Sequence, residues 1–267
     1  TSSDTSESLG LEALRKISPR DLQAFIFGST TSCRYTGSQA TSILGKLGIS
    51  APAFEVKAGC STSLASLHLA TVLLGQAYEN VVVACAETLS KVIHPEIRET
   101  WFGLADGAAS LWLEKTELKD ADYVIEKSFY STDGQYVDLY TTPGQLPPSI
   151  KELQENGYCL SGDGAELRVQ AKARYLEMIE LVSKDKNIQW MIPHQVNKAL
   201  IEEVVKESGI NAEIQWDANE FGNLGGTSVL FSLAAFLEKK RARSGDRILL
   251  ISVGGGLSFA AQVWRKT

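Results

Sequence analysis

The chain is poor in the residues that staple or metallate a fold. Its four cysteines, Cys33, Cys60, Cys85 and Cys159, form no CxxC pair, and there are only three histidines. That argues against a disulfide framework and against the spaced ligand sets of zinc modules, so no metal is expected and a reduced, cytoplasmic setting is. Long apolar runs are missing too. With no stretch of about 18 apolar residues, no membrane span is expected. Neither GxGxxG nor GxxxxGK[ST] occurs, which removes the glycine-rich phosphate loops. Positive charge is in deficit: 26 Lys and Arg stand against 32 Asp and Glu, so bulk attraction to nucleic acid is not indicated. What is present is ordinary globular material. At 267 residues and 44% hydrophobic, the chain can fill one large core or two fused half-domains.

Strand and helix patterns alternate. Leu9 to Ile17 reads as a short amphipathic helix, Leu22 to Phe27 as a buried strand, and Ser38 to Leu47 as a small-residue helix. Phe54-Glu55-Val56 leads into Ala58-Gly59-Cys60, then an almost uninterrupted apolar helix to Leu74, then the strand Val81 to Ala86. Leu104 to Ala109 reads as a turn entering the strand Ser110 to Glu114. A second block opens with the strand Tyr123 to Phe129. Asp133 to Gly164 is rich in Gly, Pro and Tyr and is expected to be an irregular cap. A long helix (Ala165 to Lys184), a strand ending in Pro193-His194-Gln195, the helix Lys198 to Ser208 and the short strand Ile214 to Trp216 follow. Phe221-Gly222-Asn223 then begins a turn into the apolar helix Val229 to Leu237, and the strands Arg247 to Val253 and Ser258 to Trp264 flank Gly254-Gly255-Gly256.

The two blocks repeat one pattern, which implies an internal duplication. One half is expected over 1–116 and the other over 117–267, the second carrying the cap at about 133–164. Alternating strands and helices imply right-handed crossovers and mixed, largely parallel sheets. The helices at 61–74 and 229–237 have no polar face and are expected to be buried between two sheets. Sites in such folds form at the carboxyl ends of strands. Cys60, His194 and Asn223 all fall there and can converge across the pseudo-twofold.

Taken alone, a cysteine in apolar sequence is usually an inert core residue. Cys60, however, stands at the N-terminus of a helix, where the dipole favours the thiolate. Cys85 reads as core, and Cys33 and Cys159 as loop residues. His68 reads as a hydrogen-bonded core histidine and His94 as a solvated one. His194 is held by a proline at a strand end, facing the cleft. Asn223 is as readily a plain turn residue as a functional one until its placement opposite Cys60 is considered. The triple glycine is either a tight turn or a close backbone approach to substrate, with N–H groups available to an oxyanion.

Gly59-Cys60-Ser61, Asp106-Gly107-Ala108, Pro193-His194-Gln195-Val196-Asn197, Phe221-Gly222-Asn223 and Gly254-Gly255-Gly256 together resemble the thiolase-fold condensing enzymes, the β-ketoacyl-(acyl-carrier-protein) synthase III branch in particular. The resemblance runs from about Leu9 to Trp264, and Glu87 also matches a position of that family. It implies an α/β fold, a five-layered αβαβα sandwich of two pseudo-symmetric halves, and a homodimer. It also implies an acyltransferase with no permanently bound cofactor. Cys60 takes an acyl group from acyl-coenzyme A, and a malonyl thioester, on coenzyme A or an acyl carrier protein, then condenses with loss of carbon dioxide. His194 and Asn223 hold the carbanion's oxygen, and the N–H groups of Cys60 and Gly255 form the other oxyanion hole. Tyr35 (on a loop reaching the partner), Leu104 and Val253 line the acyl pocket. Fatty-acid and secondary-metabolite synthesis both fit. Two alternatives stand beside this: acyl transfer from the cysteine to an oxygen or nitrogen nucleophile without decarboxylation, and a silent partner in a heterodimer.

The chain also departs from that pattern. Relatives of this kind begin with a further segment holding a first strand, so the first half is expected to lack that strand. Ser61-Thr62-Ser63-Leu64 differs from the usual flank of the nucleophile and is where substrate choice is expected to begin. Leu224-Gly225-Gly226-Thr227, Val253 and Ala199 also differ. Arg34 reads as solvated or as a partner for an anionic acyl tail. Lys172, Arg174, Lys198 and Lys206 read as a solvated face or as a docking face for an acidic carrier.

Overall fold

The computed structural model of the chain describes residues 3–19, 21–94, 96–97, 103–183 and 187–267. Its first half contains α1 (Ser6–Lys16), β1 (Phe25–Gly28), α2 (Gln39–Lys46), β2 (Ala53–Val56), α3 (Thr62–Gln76), β3 (Asn80–Thr88) and β4 (Asp106–Glu114). The second half contains β5 (Tyr123–Thr132), a cap with β6 (Tyr140–Thr141), α4 (Ile150–Gln154) and β7 (Ser161–Gly162), then α5 (Gly164–Ser183), β8 (Trp190–Pro193), α6 (Lys198–Ser208), β9 (Glu213–Ile214), α7 (Ala218–Phe221), α8 (Ser228–Glu238), β10 (Arg247–Gly254) and β11 (Ser258–Lys266).

Two mixed sheets form the frame. The first has the order β2-β1-β3-β4 and the second β5-β11-β10-β8-β9. In the first, β1 is parallel to β2 and β3, and β4 is antiparallel to β3. In the second, β8 is parallel to β9 and β10, and β11 is antiparallel to β10 and β5. The order β2-β1-β3-β4 therefore repeats as β9-β8-β10-β11. Among the described residues, nothing takes the place beside β4 that β5 takes beside β11.

Three cores hold five layers together. Outside the first sheet, Leu11 and Leu14 of α1 and Ile43 of α2 pack on Phe25, Phe27 and Val82. Gly10 permits the close approach of α1, since a Cβ there would lie 2.4 Å from the Phe27 ring. Between the sheets, Leu64 and Leu67 of α3 and Leu230, Leu233 and Phe236 of α8 pack on Ile26, Val83, Ile192 and Leu250. Outside the second sheet, Tyr175 and Met178 of α5 and Ile201 of α6 pack on Met191, Leu249 and Val253. The central helices are apolar on every side because both sides face a sheet. α3 carries no acidic residue in its first turn and no basic residue in its last.

Several expected elements shift. β1 begins only at Phe25, although Leu22 is buried. Within the turn expected at Leu104 to Ala109, Asp106 to Ala109 are the start of β4, paired with Cys85 to Thr88 of β3. Gly107 accommodates Leu224, whose side chain lies 2.9 Å from where a Cβ on Gly107 would be. Lys184, the expected end of the long helix, lies outside the described residues. No helix among the described residues is long and apolar enough to cross a membrane.

Candidate active site

The turn after β2 is braced almost entirely by backbone and hydroxyl groups. Gly59, at φ +53°, reverses the chain. The Thr62 hydroxyl donates to the Gly59 carbonyl at 2.7 Å and accepts the Ala58 N–H at 3.0 Å. Ser61 Oγ donates to the Ser258 carbonyl at 2.8 Å, and Ser258 Oγ returns a bond to the Ala58 carbonyl at 2.5 Å. Ser63 Oγ donates to the Gly226 carbonyl. Residues Ser61 to Leu64 are wholly buried. This flank ties the Cys60 turn to the second half.

Two segments of the second half close on Cys60. A Cβ on Gly254 would lie 2.4 Å from the Cys60 nitrogen, so glycine is needed where β10 ends. A Cβ on Gly226 would lie 2.9 Å from the Gly59 carbonyl and 2.7 Å from Glu87 Oε1. Burial pushes the Cys60 thiol up to about 12; the nearby Glu87 carboxylate adds to this, and the Gly255 N–H acts the other way. The resting group is a neutral thiol. The helix dipole that favours a thiolate is outweighed by desolvation, which penalises the charged form.

His194 follows β8, and its N–H donates to the Ile251 carbonyl at 2.9 Å. The ring is buried, and burial pushes it down to about 4, so the imidazole is neutral and can accept a proton. Gln195 fixes the loop: its Nε2 donates to the Pro193 and Gln215 carbonyls at 2.9 and 3.1 Å. Its Oε1 accepts the N–H groups of Asp217 and Ala218 at 2.8 and 3.2 Å. Asp217 and Ala218 lead through α7 to Asn223, so Gln195 joins the histidine loop to the asparagine turn. The sequence reading gives Gln195 no such role; its place beside His194 in the motif is the only signal.

Asn223 Oδ1 accepts the Gly225 N–H at 2.8 Å and the Ser228 hydroxyl at 3.3 Å. A backbone N–H can only donate, so this atom is the carbonyl oxygen and the NH₂ is turned the other way. The backbone of Asn223 bridges the Gly103–Ala105 segment: its N–H donates to the Gly103 carbonyl at 2.7 Å, and its carbonyl accepts the Ala105 N–H at 2.9 Å. Leu104 is thus beside Asn223. Val253 is buried directly before Gly254, on the α5 side of the sheet. Tyr35 is 66% exposed and is not brought to the site within this chain. The cap reaches the site from above, where the Tyr140 carbonyl lies 2.4 Å from where a Cβ on Gly255 would be.

The remaining candidates fall elsewhere. Cys85 is core, Cys159 is buried in a loop, and Cys33 is exposed. His68 Nδ1 is 2.8 Å from Ser128 Oγ, as a hydrogen-bonded histidine should be. His94 is partly buried rather than fully solvated, and its Nδ1 accepts the Glu96 N–H at 3.2 Å. Arg34 is exposed, as the solvated reading has it, and within this chain its Nε is 2.5 Å from the buried Glu7 carboxylate. The cations of α5 and α6 are largely paired. Lys172 lies 2.8 Å from Glu203, Arg174 lies 2.9 Å from Asp133, and Lys198 lies 3.8 Å from Glu202.

Known proteins share both the sequence and the frame. The family model described as 3-oxoacyl-[acyl-carrier-protein (ACP)] synthase III matches residues 54–134, and the one for its C-terminal part matches residues 181–266. The chain is 30% identical to the β-ketoacyl-[acyl-carrier-protein] synthase III of Clostridium tetani, across 98% of this chain and 83% of that protein. A solved 3-oxoacyl-(acyl carrier protein) synthase III from Pseudomonas aeruginosa PAO1 superposes with a TM-score of 0.87 at 20% identity, over 99% of this chain and 84% of that one. Xanthomonas campestris OleA superposes with a TM-score of 0.80 at 20% identity, over 98% and 83%. The repeated sheet order, the helices buried between the sheets and this shared sequence place the chain in the β-ketoacyl-[acyl-carrier-protein] synthase III family, the condensing acyltransferases built on the thiolase-like αβαβα fold.

Proposed function

We propose that Cys60, His194 and Asn223 carry a two-stage condensation in which acyl-coenzyme A loads the cysteine and a malonyl thioester extends the acyl group. One observation carries this reading: the Cys60 turn packs on both the Gly254–Gly255 strand end and the Asn223 turn. In the first stage the Cys60 thiol passes its proton to neutral His194 as the sulfur attacks the acyl carbonyl. The carbonyl oxygen, now negative, lies toward the N–H groups of Cys60 and Gly255. The carbon–sulfur bond to coenzyme A then breaks, and the departing thiolate takes the proton held on His194, which returns to its neutral form. Donors fixed before the charge develops are the main source of acceleration in such steps.

In the second stage the bond from the malonyl α-carbon to its carboxylate breaks and carbon dioxide leaves. The electron pair stays as an enolate, whose oxygen accepts from Asn223 Nδ2 and from His194. The α-carbon attacks the acyl–Cys60 carbonyl, the new carbon–carbon bond forms, and the cysteine sulfur leaves as a thiolate that takes a proton from solvent, the one proton the overall reaction consumes. Tyr35, Leu104 and Val253 are read as pocket residues, Tyr35 toward a second copy of the chain in a homodimer. The two halves divide between Glu114 and Tyr123, each supplying part of the site, and the cytoplasm is the compartment that suits four free thiols.

The test supplies short acyl-coenzyme A with malonyl thioester, either on coenzyme A or on an acyl carrier protein. The reading predicts one carbon dioxide per 3-oxoacyl product. Acyl transfer to an oxygen or nitrogen acceptor without carbon dioxide would replace it with the non-decarboxylating alternative.

A further inference from the structure

The turn between β10 and β11 consists of Gly255, Gly256 and Leu257, and Gly256 takes φ +129°. Two adjacent glycines have no side chains with which to fix their own backbone. Gly255 is nevertheless tightly enclosed. A Cβ on Gly59 would lie 2.7 Å from the Gly255 carbonyl and 3.3 Å from its nitrogen. On the cap side, a Cβ on Gly255 would collide with the Tyr140 carbonyl.

The bonds that hold the turn lie on its flanks. On one flank Ser258 is bonded to Ala58 and Ser61. On the other, Leu257 and Asp133 exchange both backbone hydrogen bonds, each at 2.9 Å. This extends the β5–β11 ladder one step past the Thr132 and Ser258 pair. Asp133 is also where the cap begins. Its Oδ2 accepts from Arg174 Nη2 of α5 and from Gln135 Nε2, both at 2.9 Å. Arg174 is itself held in place. Its guanidinium carbon stands 5.1 Å from the centre of the Phe259 ring, and its Nη1 donates to Glu177 at 2.7 Å.

The cap completes the path from Gly255 back to Arg174. Tyr140 pairs with Gly162 between β6 and β7. The next residue, Asp163, donates its N–H to the Leu139 carbonyl at 2.9 Å. Its Oδ1 accepts the N–H groups of Ala165 and Glu166, at 3.0 and 2.9 Å, which starts α5. Helix α5 then returns Arg174 to Asp133. The ion pair thus closes a circuit through the glycine turn, Tyr140 and both ends of the cap.

We propose that Asp133 and Arg174 are positioning residues for the oxyanion hole. Their pair locks the cap to the Leu257 flank and so fixes the Gly255 N–H beside Cys60. This rests on the reading of Gly255 as an oxyanion donor. A carbonyl oxygen becomes negative at that donor when Cys60 is loaded, and again when acyl–Cys60 is attacked. The clamp therefore serves both stages, whereas the Asn223 amide serves only the second. A fixed donor is worth a factor of about 10² to 10³, and one that is present but loosely held forfeits part of it.

The test measures loading and condensation rates per loadable site, counted from the burst of acyl–enzyme. Asp133→Asn and Arg174→Gln are each expected to lower both rates about tenfold, with half-saturation by acyl-coenzyme A moving less than about threefold. The double variant should be no worse than about twofold below either single one, because the two residues act as a unit. Arg174→Lys keeps the charge and should recover to within about threefold of wild type, and Glu177→Gln should match it. Hydrogen exchange is read in parallel, without turnover. Both single variants should exchange peptide 253–259 about tenfold faster, and peptide 247–252 at the wild-type rate.

Unchanged exchange at 253–259 overturns the clamp. So do losses that multiply to about a hundredfold in the double variant, or a loss confined to condensation. A partly exposed ion pair is not needed for folding, so failure of both single variants to fold overturns it as well. If only one fails, the other decides; Asp133→Asn keeps both backbone bonds and the side-chain volume. Faster exchange with wild-type rates would instead remove Gly255 from the chemistry, the reading on which the clamp rests. Failure of the nucleophile assignment is distinct again and would show as acylation persisting in Cys60→Ala.

Discussion

Replacing Asn223 with aspartate isolates one atom of the proposed chemistry. The carbonyl oxygen of Asn223 accepts from the Gly225 N–H and the Ser228 hydroxyl. Aspartate keeps an oxygen there and can accept both bonds, so the turn that packs on Cys60 is preserved. What changes is the other end of the side chain. A donor becomes an anion, set where an enolate oxygen is to form. Loss of one such donor ordinarily costs a factor of about 10² to 10³, or about 2.7 to 4 kcal/mol, and a repelling charge adds to it. Acyl loading does not use this donor and is expected to stay within about threefold of wild type. Rapid-quench mass spectrometry of acyl–enzyme formation, beside carbon dioxide release after malonyl addition, separates the two stages. Ser228→Ala removes only the longer anchor and should lower the second stage by a few-fold. If Asn223→Asp loads and condenses at wild-type rates, or loses both stages equally, the assignment of its amide to the enolate is wrong.

Two further outcomes follow from the buried ionisable groups. Glu7 is held down from 4.5 to about 2, first by Arg34 and then by Lys46 and Ser42. That difference corresponds to about 3 kcal/mol, which solvent screening of the half-exposed Arg34 and Lys46 reduces to about 1.5 kcal/mol. The contribution is complete above the unfolded value and is lost as pH falls from 4.5 toward about 2. Glu7→Gln should thus destabilise the protein to urea at pH 7 and hardly at all near pH 2; an equal loss at both would contradict the ion-pair account. His194 is held down to about 4 by burial. The rate of acyl loading should therefore be flat from about pH 8 to about pH 5.5, and a titration of that rate near 6.5 would show an imidazole that is solvated or charged.

Much of the frame was legible because it is written as periodicity. α3 and α8 lack a polar face, which places them between sheets whatever the family. The duplication was visible as matched patterns and returns as the repeated strand order β2-β1-β3-β4 and β9-β8-β10-β11. The cap was legible only as irregular, since β6, β7 and α4 span two, two and five residues, too short to show a period. The start of β4 was missed because Gly107 and Ala108 read as turn residues, whereas Gly107 leaves room for Leu224 and Ala108 packs against the outer core.

The site shows the same division. Cys60, His194 and Asn223 stood out by their places at strand ends. The bonds that hold them did not, because Ser61, Ser63, Ser258 and Gln195 act through partners far along the chain. What burial does to the Cys60 thiol was not legible for the same reason. Sequence shows the local helix end, but the desolvation around the sulfur and the carboxylate of Glu87 arise only from tertiary packing.

The most direct test of the account is the covalent load itself. Wild-type protein and Cys60→Ala are incubated with the same acyl-coenzyme A and their intact masses compared. The account predicts one acyl group on the wild type, mapped to the peptide carrying Cys60 and discharged by malonyl thioester, and none on the variant. An acyl group that persists on Cys60→Ala, or one that maps to Cys33, Cys85 or Cys159, would contradict it.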